Sequence, residues 1–420
     1  MPPSSPHSDP SPRLTWRDLA LVVAVVIALV CLALYLWPGY RADLSTISQY
    51  AEHAQRMLLG QQPYRDFLFE YPPLAIPLFF LPGLGVPPGD LDRYRLQFAL
   101  EQAALAVGLG WLALALLRRY AQGRGLLGVL VALPLFLLAA GVMATLERYD
   151  LAPALVTLAA VYLWTRQRGQ LAWPLLAVGT ALKVYPALLA PLFALEHLRR
   201  GEWRTLARNA GLYGVTLLLA FLPFLATGPA VLQVLFAYHG ERGLEINSLW
   251  ATPLLLRYTR GAPLEVVQAH ASEEVVAPGA DRLSALAVPT IVLLLGLVYW
   301  TYWRRLRTIG PTTTDDADAV RRLLRFSALS ILAFVLPNKV LSPQYLVWLI
   351  PLLSLLRDRQ RWLVWGLFGF ILALTQYVYP GHWVDLTRFL DTRAIFALAA
   401  RNILLLPLFV LLFEEDEADY

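Results

Sequence analysis

Apolar residues run along this chain in blocks broken by short segments that carry arginine or proline. Blocks at 19–37, 96–117, 126–143, 151–164, 212–225, 283–303, 362–379 and 394–413 predict helices. A bilayer crossing takes roughly 20 helical residues, so these blocks read as membrane segments of one polytopic domain. The first follows a Pro/Ser-rich tail, MPPSSPHSDPSPR, without a small-residue cleavage site, and so reads as a retained helix and not a signal peptide. The expected division is a cytoplasmic tail 1–18, a transmembrane domain 19–413 and an acidic cytoplasmic tail 414–420.

A different pattern occupies two longer segments, 38–93 and 228–282. In the first, Leu44, Ile47, Ala51, Ala54 and Leu58 recur at helical spacing, with Ser45, Gln49, Glu52 and Arg56 on the other face. This predicts an interfacial amphipathic helix closed by Gly60. Asp66, Glu70 and a Tyr-Pro-Pro turn follow, then a short apolar stretch. In the second segment, His239 to Trp250 mixes polar and aromatic residues, the composition of a sugar-binding or interfacial surface, and a polar, acidic stretch comes after it.

Charge sets the expected topology. Arginine clusters at 118–124, 166–168, 199–208, 304–325 and 357–361 mark cytoplasmic loops, and the mixed-charge segments 38–93, 144–150, 228–282 and 380–393 fall outside. Two stretches, 171–198 and 326–356, begin and end beside arginine clusters and must return to the side they left. Each has a breaker at its middle, ALKVYPALLAP and LPNKVLSPQYL, so each is expected to fold as two short helices meeting at a bend. Lys183 and Lys339, the only lysines of the chain, stand at these two apices. They read either as snorkelling side chains or as contacts to a phosphate or substrate. The count comes to about twelve membrane segments in an all-α bundle with both termini inside.

Composition narrows the function. The chain of 420 residues is 58% hydrophobic and only 15% charged, and its mean hydropathy is +0.54. That excludes an ordinary soluble enzyme, a disordered chain and a basic nucleic-acid module. The single Cys31 excludes a disulfide framework and a thiolate metal centre. Six scattered histidines show no ligand spacing, and no bound metal or other cofactor is expected. The acidic triplets Asp90-Leu91-Asp92 and Asp316-Ala317-Asp318 read as helix starts rather than metal-binding DxD motifs.

Four blocks occur in order from about residue 43 to 356. They are GQQPYRDFLFEYPPLAIPLFFLP; ERYDLAPALVTLAAVYLW with GTALKVYPALLAPLFAL; YHGERGLEINSLWA; and KVLSPQYLVWLIPLL. They resemble the signature blocks of glycosyltransferase family 87, polyprenyl-phosphate-sugar-dependent membrane enzymes with the C-type glycosyltransferase fold. The resemblance implies transfer of a hexose, most readily mannose, from a lipid-linked donor to a lipid or glycan acceptor. The implied setting is the external face of the plasma membrane, with no nucleic-acid partner.

Such transfer needs a carboxylate to take the acceptor proton and cations to hold the leaving phosphate. In C-type enzymes the acid follows the first membrane helix, the place of Asp43, for which helix capping is the competing role. Asp66 and Glu70 come next, with turn chemistry as their alternative, then Asp150, which could instead cap its helix or pair with Arg148. Lys183, Lys339 and Arg242 are the expected donor-phosphate contacts, and Tyr71, His239, Gln344 and Tyr345 the expected substrate contacts. Glu101 and Arg401, each inside an apolar block, are expected to pair. The rival reading is a transporter or lipid-linked-sugar flippase, which would line a path through the membrane with polar groups.

Overall fold

In hydrocarbon a backbone must satisfy its own polar groups, and runs of Leu, Ala and Val do so as helices. A computed structural model describes residues 15–36, 45–120, 125–225, 230–233, 239–270, 272–308, 316–357 and 360–414. The apolar blocks are α1 (Trp16–Leu36), α4 (Leu91–Tyr120), α5 (Gly125–Leu146), α6 (Leu151–Thr165), α7 (Gly169–Leu182), α9 (Trp203–Leu225), α13 (Ala280–Thr308), α14 (Asp316–Val335), α16 (Arg361–Gln376) and α18 (Thr392–Phe413). Between them lie α2 (Ser45–Leu58), α3 (Ile76–Phe80), α8 (Ala190–Arg199), α10 (Ala230–Gln233), α11 (His239–Glu241), α12 (Thr252–Tyr258), α15 (Ile350–Ser354) and α17 (Trp383–Phe389). Among the described residues, five segments, Leu91–Arg118, Trp203–Leu225, Ala280–Thr308, Arg361–Gly381 and Thr392–Phe413, are long and apolar enough to cross a bilayer. The chain is an all-α membrane protein in its main architecture.

One departure is a two-stranded antiparallel ribbon, β1 (Glu265–Ala269) and β2 (Ser272–Val276), with Val267 opposite Glu274. It occupies the stretch expected only to be polar and acidic. Val266, Val267, Val275 and Val276 supply the β-branched side chains that favour paired strands.

The helices break where proline removes a donor. α7 stops at Leu182, Lys183 is extended, and the chain resumes as a 3-10 turn, Tyr185–Leu189, leading into α8. The second break is asymmetric. α14 is a full helix, and after residues 336–342 a 3-10 stretch, Pro343–Leu349, leads into the short α15. α5 kinks at Gly141 (φ 78°), where a Cβ would stand 2.2 Å from the Gln376 side chain. The Gln376 amide donates to the Ala140 carbonyl that the kink frees.

α14 lies in the core, with Phe326, Leu329, Leu332 and Val335 fully buried among α4, α6 and α18. By contrast only 6% of the apolar window of α9 and 11% of that of α13 are buried within the protein, so these helices offer leucine and valine to lipid.

Arginines gather at one end of the bundle. Asp18 at the start of α1 pairs with Arg118 at the end of α4. Arg305 donates to the Phe413 carbonyl at 2.7 Å, and Arg325 to those of Leu411 and Leu412 at 2.8 and 2.9 Å. These guanidiniums satisfy the orphan carbonyls that end α18. Glu101 and Arg401 do not pair: Arg401 donates to the carbonyl and amide oxygen of Asn247, whereas Glu101 Oε1 is buried without a partner. Arg401 is spent instead on fixing the loop before α12, where backbone acceptors bent out of helix geometry need a donor.

Candidate functional site

α6 runs from Asp150 at one end to Arg166 at the other, so the loop 147–150 lies at the end remote from Arg166. Asp150 is 1% exposed and its side chain makes no cap bond. Lys183 Nζ and Trp348 Nε1 both donate to Asp150 Oδ1, each at 2.6 Å. Both roles considered for Asp150 beside catalysis, the helix cap and the Arg148 partner, therefore give way to a buried lysine–carboxylate pair. A desolvated carboxylate is tolerable only with such partners.

Two local devices deliver these donors. Pro186 ends α7 early and leaves Lys183 extended, its ammonium turned to Asp150. On the 3-10 stretch, side chains three apart eclipse one another, and Tyr345 and Trp348 stack at 4.3 Å. Tyr185 stacks on Trp348 at 4.2 Å and 8°, so the indole is sandwiched and its N–H is aimed. Trp348 was not singled out from sequence, although its i,i+3 spacing from Tyr345 just after Pro343 was visible there. The Lys183 ammonium lies over the rings of Tyr149 (4.5 Å), Trp348 (5.3 Å) and Tyr345 (5.7 Å), an aromatic enclosure for a cation.

More charge surrounds this pair. Arg148 and Arg242 are close enough to act on Lys183 as like charges. Tyr345 in turn feels Arg242, Glu245 and Asp150 together. Burial pushes the Glu245 carboxyl up in pKa, against Asn247 and Arg242, which favour its charged form. One oxygen of each acid, Asp150 Oδ2 and Glu245 Oε2, is buried without a hydrogen-bond partner. Arg148 also reaches Thr46 in the first turn of α2 and the Tyr379 hydroxyl, the latter at 2.8 Å.

α2 closes this end. Ile47, Ala51 and Ala54 are buried as the apolar spacing expects, Tyr50 is buried beside them, Leu58 is exposed instead at the last turn, and Gly60 (φ 82°) ends the helix. The polar face is not simply exposed: Gln49 donates to Glu70, and His53, 6% exposed, lies 3.6 Å from Glu70 Oε2. Burial raises the Glu70 carboxyl, but His53, its own backbone N–H and Gln49 outweigh that and hold it below the usual carboxylate value. Tyr71 meets Tyr50, Phe79 and Tyr149 edge-on, and through Tyr149 this aromatic cluster adjoins Lys183.

The residues expected at the site thus divide. Asp150, Lys183, Arg242 and Tyr345 come together, with Tyr71 and Glu70 one aromatic layer away. Lys339 does not present a free ammonium: it donates to the carbonyls of Gly240, at 2.8 Å, and Arg242. It straps the loop 240–245, because a bent loop leaves carbonyls that need donors. Asp66 stays exposed in its own turn, accepting from the Gln62 N–H at 2.7 Å, and Gln344 sits half-buried at the start of the 3-10 stretch. Asp43 and the His239 side chain lie outside the described residues. Asp90 Oδ1 accepts from the Arg93 N–H at 3.0 Å at the start of α4, and Asp316 begins α14. Among the described residues no three His, Cys, Asp or Glu side chains converge to hold a metal ion.

No family model matches the chain, and no curated protein does either.

Proposed function

We propose that this chain is a membrane-embedded glycosyltransferase that moves a hexose, mannose foremost, from a polyprenyl-phosphate donor to a lipid or glycan acceptor. The end of the bundle that holds Asp150 and Lys183 is the active end and faces outside, and the arginine end faces the cytoplasm. The signature-like blocks support this reading, since the second, third and fourth meet here in space. The observation that carries it is the gathering of Lys183, Arg148 and Arg242 beside two buried carboxylates that each retain an unpartnered oxygen. Cations suit a leaving phosphate, and orphan carboxylate oxygens suit sugar hydroxyls, which donate.

In the reaction, the acceptor oxygen forms a bond to the anomeric carbon as the bond from that carbon to the phosphate oxygen breaks. The acceptor proton passes to a carboxylate, and the electron pair leaves on the lipid phosphate. Asp150 serves as a positioning residue for Lys183, because Oδ1 already accepts two hydrogen bonds. Asp43 is the proposed base, three residues before Thr46, which Arg148 holds.

A second reading, movement of a lipid-linked sugar across the membrane, is favoured by α4. There Glu101 Oε1 and both amide atoms of Gln102 are buried without partners. The test is turnover by the purified full chain with a panel of polyprenyl-phosphate hexoses and several acceptors, alongside flipping in sealed vesicles. Glycosylated product from one donor, abolished by Asp43→Asn in folded protein, is expected. Flipping without product from any pair would overturn the transferase in favour of the transporter.

A further inference from the structure

The arginine end holds a separate concavity. A cavity of about 260 Å³ opens where the end of α4, the start of α14 and the end of α15 meet. Leu116, Leu117, Leu324 and Leu355 line it and are buried, whereas Arg321 and Arg357 line it and stay partly exposed. Arg357 Nε is itself buried and has no hydrogen-bond partner among the described residues. Burial, and then the like charges of Arg361 and Arg321, hold the Arg357 guanidinium below its usual pKa. Asp318 offsets Arg321 at 3.4 Å. Arg305 and Arg325 end on helix carbonyls, and Arg321 and Arg357 flank an apolar crevice.

We propose that this crevice is a binding site for an anionic phospholipid, with its phosphate between Arg321 and Arg357 and its acyl chains against the leucine wall. Paired guanidiniums present a planar fork to phosphate oxygens. Basic pockets between membrane helices at the end rich in arginine are placed to meet acidic headgroups. A free phosphate would satisfy the arginines but leave the leucine wall without a partner, so the chemistry fits an amphiphile. The bound headgroup would also join α14 to the segment after α15, where Arg321 and Arg357 otherwise oppose each other as like charges.

Native mass spectrometry of the full chain, delipidated and then titrated with phosphatidylglycerol or phosphatidylcholine, tests this. Wild type is expected to retain phosphatidylglycerol in preference to phosphatidylcholine, and Arg321→Gln/Arg357→Gln to weaken that retention by about tenfold or more. Arg357→Lys, which keeps charge and loses the fork, should fall between. Arg388→Gln, on exposed α17 at the other end, should change nothing. Equal retention of the two lipids, or full retention by the double variant, would overturn the site. Competition by inorganic phosphate at the same concentrations would overturn a lipid as the occupant. Should the double variant fail to fold, the wild-type lipid preference and the single Arg357→Lys variant decide.

Discussion

Lys183 and Lys339 each follow the break of a helical hairpin, and in sequence they look equivalent. In the fold, Lys183 closes on the Asp150 carboxylate inside an aromatic enclosure, and Lys339 on the carbonyls of Gly240 and Arg242. The difference lies in what the break exposes. At the first, 3-10 turns from two hairpins bring Tyr185, Tyr345 and Trp348 against a buried acid, so a cation is required there. At the second, the loop 240–248 crosses the break, and its unpaired carbonyls take the ammonium. A lysine at a helix break thus serves either a buried carboxylate or backbone carbonyls, and its neighbours across the fold decide which.

The largest effect that would separate the two is expected from Asp150→Ala, which strands Lys183 in the enclosure. Breaking a buried pair costs about 3–5 kcal/mol, and thermal unfolding in detergent should show a correspondingly large drop. A double-mutant cycle with Lys183→Met should recover part of it. Lys339→Met should cost less, about 1–3 kcal/mol for carbonyls left without a donor, and should appear first as proteolytic cleavage near 240–245 with the helical bundle intact. If Lys339→Met instead matched Asp150→Ala in a global melt, the strap assignment would be wrong.

Trp348→Phe keeps the ring between Tyr185 and Tyr345 and removes only the N–H to Asp150. A loss of about 1 kcal/mol is expected for one hydrogen bond, read in the same melts. The smallest effect concerns Glu70. Its folded-state pKa lies below the unfolded value, so its contribution is complete above the unfolded value of about 4.3 and is lost as pH falls through the folded one. The melting advantage of wild type over Glu70→Gln should therefore be present at neutral pH and shrink progressively as pH falls below about 4.3. An advantage that persisted in stronger acid would place the stabilisation elsewhere.

Much of this was legible along the chain. Runs of apolar residues marked the long helices, prolines marked both breaks, and the spacing of Ile47, Ala51 and Ala54 marked the buried face of α2. What periodicity cannot give is the partner across the bundle. Trp348 and Asp150 are 198 residues apart, and only the fold shows that an indole N–H and an ammonium share one carboxylate oxygen. The expected Glu101–Arg401 pair failed for the same reason: opposite charge and similar depth do not fix facing. The ribbon at 265–276 was hidden by its glutamates, which draw the eye to charge and away from the valine pairs 266–267 and 275–276.

The claim that this end of the molecule receives a lipid phosphate is tested most directly by donor affinity in a charge-neutral replacement. Asp150→Asn/Lys183→Gln removes both charges while leaving hydrogen-bonding groups of similar size, so the fold should persist. Binding of a polyprenyl-phosphate hexose and of the uncharged polyprenol would be measured on monodisperse wild-type and double-variant protein. The account predicts that the variant loses about tenfold or more in affinity for the phosphate-bearing donor, the scale of one charge-assisted contact, and binds the polyprenol unchanged. Equal donor affinity in the two proteins would contradict it.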